Sequence, residues 1–140
     1  MTIEQTPKIL TLFAIYAVYG TTFTLAGGLK VLEKGVPGWF TDQFSKTFLK
    51  SFPGIAIAYW SIALLECVVP LLLIISLFKL EFVQGEPHLF LEIAVALSAV
   101  IFGLLGFGLR LVNDFAGAAN SFFYFAATLV TQIYIHKVLN

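Results

Sequence analysis

The stretch Ile55–Phe78 is an apolar run of about 24 residues with one formal charge, Glu66, near its middle. At about 1.5 Å per residue, a helix of that length crosses a hydrocarbon core about 30 Å thick. The run therefore predicts a transmembrane helix. Counting from Ile55 places Glu66 roughly 16 Å deep, close to the midplane. An ionised carboxylate there costs at least about 3 kcal/mol on insertion scales, so it must be protonated, paired or turned to a wet cavity.

The composition extends this reading to the whole chain. It is 59% hydrophobic and 11% charged, with 15 Phe, and its mean hydropathy is +0.94; an average soluble domain is about 25% charged. The expectation is an integral membrane protein in contact with the lipid bilayer along most of its length. Eight basic and eight acidic residues give a formal net charge of zero, so the electrostatic footprint of a nucleic-acid partner is missing. Cys67 is the one cysteine, which excludes an internal disulfide and a cysteine-built metal cluster. Beside Glu66 in an apolar helix, its thiol is expected to be buried and inert.

Taken in order, a short polar tail (residues 1–8) precedes the first predicted span, residues 9–32, a run too long for a signal peptide. Tyr16, Gly20, Thr24 and Gly28 fall four apart on one face, a spacing that lets another helix approach closely. With Tyr19, the same face also suits a cavity wall. Lys30 ends this helix, where it can snorkel to the headgroups or turn inward.

The only long connection spans residues 33–54. Within it Phe40, Phe44, Phe48 and Phe52 recur every four residues, and Asp42, Lys46 and Lys50 recur on another face. That predicts an amphipathic helix over 39–52, lying in the interface, capping the bundle or docking a partner. In the second span, Tyr59 precedes Glu66 by seven residues, two turns on the same face. Pro70 withdraws a backbone hydrogen bond from the Glu66 carbonyl.

A polar turn, residues 79–87, predicts antiparallel neighbours. The third span covers 88–112, with Glu92 in its first turns, read as interfacial, and Arg110 ending a small-residue face of Ala99, Gly103 and Gly106. Asn113 and Asp114 turn the chain into the last span, 116–137. There Asn120, Tyr124, Thr128, Gln132 and His136 form a polar stripe at four-residue spacing. Lipid offers such groups no partners, so the stripe should face the bundle, either as interhelical glue or as a cavity wall.

The fold expected is thus all-α: a single transmembrane domain, an integral membrane four-helix bundle, with an amphipathic helical segment between helices one and two. In an up-and-down arrangement, Lys30, Tyr59, Arg110, Asp114, Asn120 and Tyr124 all lie in the half of the membrane away from the N-terminus, as company for Glu66. Together these residues form the candidate ligand site, with Glu66 as the candidate catalytic group. A one-sided pocket fits this distribution better than a channel. Orientation is weakly determined: Lys30, Lys34, Lys46, Lys50 and Arg110 oppose Lys8, Lys79 and Lys137, which favours the long loop in the cytoplasm. Setting aside Lys30 and Arg110 as site residues makes the counts equal.

Gly27-Gly28-Leu29-Lys30-Val31-Leu32, then Val36-Pro37-Gly38-Trp39-Phe40, then Tyr59-Trp60-Ser61-Ile62-Ala63-Leu64-Leu65-Glu66 resemble the DoxX-like group of small four-helix bacterial membrane proteins. The resemblance covers the first half of the chain; the second half is similar in helix count and hydropathy. It implies a four-helix bundle in the bacterial inner membrane; the group takes its name from a subunit associated with quinone-linked oxidoreduction, which implies, for any enzymatic role, an accessory one and makes quinone one candidate ligand. No Cys-x-x-Cys is present, and His88 and His136 both lie at helix ends. No metal or tightly bound cofactor is therefore expected. Two functions remain open: a membrane subunit whose polar pocket receives a quinone, a lipid headgroup or a small solute, and a structural subunit that docks a larger complex or a second copy. A transporter acting alone is a weaker third, because four helices leave little room for alternating access.

Overall fold

The computed structural model describes residues 5–83 and 87–139, Gln5 by its backbone alone. The first residues of the polar tail and residues 84–86 of the turn between the second and third spans lie outside the described residues. Helix α1 (Gln5–Leu32) begins earlier than the sequence pattern indicates, and α3 (Ile55–Phe78) matches it, running as helix through Pro70. Helices α4 (Leu89–Leu111) and α5 (Phe115–Tyr134) follow, α5 passing into a π turn at Ile135–Leu139. Among the described residues four helices are long and apolar enough to cross a membrane, so the chain is a multi-pass membrane protein.

Three of the helix ends have a clear local cause. Helix α4 stops where Asn113 takes a left-handed backbone conformation (φ 61°), which Asn tolerates better than most residues. The next residue, Asp114, caps α5 by accepting a hydrogen bond from the Gly117 backbone N–H at 2.9 Å. Helix α3 starts after Gly54, whose φ of 106° strongly favours glycine.

The spans pack in sequence order, α1 on α3, α3 on α4 and α4 on α5, with Tyr19 and Thr128 joining α5 back to α1. The core holds Leu12, Phe23, Val69, Leu73, Val95 and Ile101. Helices α1 and α3 approach closely at Gly27, where an added Cβ would lie 2.9 Å from Cys67 Sγ and 3.0 Å from the Cys67 backbone N. The contact face of α1 is thus set by Tyr16, Tyr19, Phe23 and Gly27. The expected Thr24 and Gly28 are not on it: Thr24 is exposed, and a Cβ on Gly28 would meet nothing within 4 Å.

The connection between the first two spans also differs from expectation. Its helix, α2 (Gly38–Phe44), is only 7 residues long, and a separate 3-10 turn follows at Phe48–Lys50. The break disperses the Phe stripe. Phe44 is buried and lies over Gly108 of α4, Phe40 packs on Tyr59 at 5.0 Å between ring centroids, and Phe48 and Phe52 stay exposed.

Candidate functional site

Glu66 is paired. Lys30 Nζ donates to both of its carboxylate oxygens, at 2.7 and 2.6 Å. The two side chains differ in access: 3% of the Glu66 side chain is exposed and 24% of the Lys30 side chain. Helix direction explains the meeting. A Cα–Cβ bond tilts toward its helix N-terminus, so Lys30, near the C-terminal end of α1, leans back into the bundle. Glu66 belongs to the antiparallel α3 and leans the opposite way, up toward Lys30. The Gly27 contact sets the two helices close enough for the pair to close.

One level nearer the surface, the buried Tyr59 donates its hydroxyl hydrogen to Glu33. Tyr59 leans toward the start of α3 for the same reason, and so reaches the end of α1. The resulting tetrad, Glu66, Lys30, Tyr59 and Glu33, is roofed by the rings of α2: Trp39 meets Phe40 edge-on at 5.6 Å, and Phe40 meets Tyr59. Trp60 adjoins Tyr59 at 5.4 Å.

Of the sequence candidates, Lys30 therefore meets Glu66 and Tyr59 meets Glu33 one level up, and the remaining candidates do not join them. Arg110 is exposed and sits over the Phe115 ring, 4.4 Å from its centroid. Asp114 serves as the α5 cap. Asn120 and Tyr124 are exposed on α5. The physical reason is the neighbour order: Glu66 packs toward the end of α1, whereas Arg110 lies where α4 meets α5 and Tyr124 lines a groove beside Val18 and Thr22, lower on α1.

A second polar group lies at the opposite membrane boundary. Glu81, 4% exposed, accepts from the backbone N–H groups of Phe90 (2.8 Å) and Leu91 (3.0 Å) at the start of α4. Ser76 also donates to Glu81, which leaves Tyr16 to donate to Ser76 at 2.5 Å. On the same side His136 Nδ1 lies 3.2 Å from Glu92, in keeping with an interfacial place for Glu92. Ten residues of α3, about 15 Å of helix rise, separate Glu66 from Ser76, and the buried Phe23, Val69 and Leu73 fill that interval. Two polar tiers divided by an apolar layer do not make a continuous path.

The polar stripe of α5 divides along its length. Thr128 is buried, accepts from Tyr19 at 3.1 Å and donates to the Tyr124 carbonyl at 2.7 Å. Gln132 Oε1 is buried without a hydrogen-bond partner. The stripe is thus partly interhelical glue and partly open to the outside.

Sequence reasoning missed Glu33 and Glu81. For Glu33 a signal existed: it follows Lys30 by three residues, immediately past the end of α1. For Glu81 there was none, because its partners are backbone groups of a helix that begins eight residues later. Among the described residues no cluster of three or more His, Cys, Asp or Glu could hold a metal ion. Comparisons with protein-family models, with curated proteins and with solved structures found no match to this chain.

Proposed function

We propose that this protein is a membrane subunit that binds the polar end of an amphiphile, a quinone ring or a lipid headgroup, at the Lys30–Glu66 pair. The observation that carries the reading is the asymmetry of that pair. Glu66 is sealed in the bundle, while the cation that neutralises it keeps a quarter of its side chain exposed near the end of its helix, within snorkelling reach of the headgroups. Lys30 has three N–H donors and spends two on Glu66, so the third is free to donate to a carbonyl or phosphoryl oxygen. Glu66 can hold or release a proton at Oε1 or Oε2 as Lys30 turns toward such a ligand, and Tyr59 is the second hydroxyl donor within the tetrad. In the quinone version this set takes the place that Arg110 was expected to share. The resemblance of its first half to DoxX-like proteins supports the further reading that the subunit works in a bacterial cytoplasmic membrane beside a quinone-linked oxidoreductase.

Of the chain's two tryptophans, Trp60 adjoins Tyr59 and Trp39 packs on Phe40, which covers Tyr59, so their fluorescence reports on the site. In lipid nanodiscs, titration with a short-chain quinone or a short-chain phospholipid should give a saturable change that Glu66→Gln removes. A response that is absent with both ligands, or unchanged in Glu66→Gln, sinks the reading.

One observation favours a docking role as the second reading: Trp39, Phe48 and Phe52 are large apolar side chains left exposed on the α2 side. Phe44 does not belong to such a surface, because it is buried over Gly108. Phe48→Ala with Phe52→Ala should then release a co-purifying membrane protein while the bundle stays folded; retention of that protein removes the docking reading.

A further inference from the structure

We infer that the face shared by α1 and α5 is a self-association surface covered by a second copy of this chain, in a two-fold dimer whose axis runs along the membrane normal. Helix α5 is the least covered of the spans: only Ser121 and Thr128 are buried in it, against six residues each in α3 and α4. Between α1 and α5 runs a groove of about 350 Å³, edged by Val18 and Thr22 on one side and by Tyr124 and Ala127 on the other. Its floor is closed by the hydrogen bond from Tyr19 to Thr128.

The rim is polar and unsatisfied. Tyr124 is 58% exposed, and neither its hydroxyl, nor Thr22, nor Asn120 one turn away hydrogen-bonds any described residue. A threonine can turn back onto its own helix, as Thr21 does to the Ala17 carbonyl. A phenol cannot, because its hydroxyl stands too far from the backbone that carries it. Tyr124 lies nine residues into α5, about 14 Å along the helix, and acyl chains at that depth supply no polar atom. The neighbour that satisfies it must carry hydrogen-bonding groups within the hydrocarbon.

A second copy supplies them in register. Copies inserted the same way and related by a two-fold axis along the normal meet residue for residue at equal depth. Thr22 and Tyr124 line one groove and so share a depth, which sets Tyr124 of each copy against Thr22 or Tyr124 of the other. Hydroxyls donate and accept, so the surface is self-complementary. This surface is separate from the Lys30–Glu66 pair.

The sole cysteine makes the test direct. In a Cys67→Ala background, Ala127→Cys sits in the groove and Leu64→Cys sits on the exposed outer face of α3; both are oxidised in native membranes with copper phenanthroline. Ala127→Cys should form a disulfide-linked dimer in high yield and Leu64→Cys little, and adding Tyr124→Phe should lower the Ala127→Cys yield severalfold. Val18→Cys, on the opposite rim, serves if Ala127→Cys does not accumulate. Equal yields at the groove and at Leu64, no dimer at either rim because an amphiphile fills the groove or the protein is a monomer, or a yield indifferent to Tyr124→Phe would each overturn the assignment.

Discussion

Glu66 and Glu81 are both buried carboxylates in an apolar bundle, and they are neutralised by different means. Glu81 is held by groups that cannot leave: two backbone N–H groups at a helix start, where the dipole favours negative charge, and a buried serine backed by Tyr16. Glu66 is held by one flexible side chain, about a quarter of which is exposed. The first arrangement fixes the α3–α4 hairpin, and the second leaves a charge whose partner is exchangeable.

The contrast can be broken by mutation, beginning with the largest effect. Lys30→Ala leaves Glu66 buried without its cation, and should cost about 3–5 kcal/mol of stability in detergent thermal unfolding; a loss below about 1 kcal/mol would mean that the pair contributes little to the fold. Glu81→Ala orphans the first amides of α4 and should cost about 2 kcal/mol. Its signature is faster hydrogen exchange at Phe90 and Leu91, with amphiphile binding retained in the folded fraction. Protection left unchanged would remove Glu81 as the cap.

Glu66→Gln should cost less than Lys30→Ala, about 1 kcal/mol, because the freed Lys30 can turn to water. It should nevertheless abolish ligand binding. Equal destabilisation by the two changes would make the pair a structural tie. Smallest of all, Tyr59→Phe should cost about 0.5 kcal/mol, since the exposed Glu33 is rehydrated once its donor is gone. It should weaken binding without abolishing it; affinity equal to wild type would take Tyr59 out of the site.

The spans were legible in the sequence because a bilayer imposes length and apolarity on each helix separately. Lys30, Tyr59 and Glu66 were legible for a related reason: they sit on two helices joined by one connection, and up-and-down topology fixes their level. Arg110, Asn120 and Tyr124 share that level too, but depth does not say which helices are neighbours, and α5 turned out to meet α1 only loosely. The Phe stripe misled because four-residue spacing is also met by a short helix followed by a 3-10 turn, with Phe44 anchored by Gly108 from a distant part of the chain. Glu81 pairs with backbone groups, and these leave no mark in a side-chain pattern.

The central claim is that Glu66, unlike Glu81, belongs to a binding site. Native mass spectrometry of protein released from mild detergent, with extraction of whatever amphiphile it retains, tests this most directly. The account predicts one amphiphile species bound in stoichiometric amount to wild type and to Glu81→Gln, and lost from Glu66→Gln. The same bound species at the same level in wild type and Glu66→Gln would contradict it.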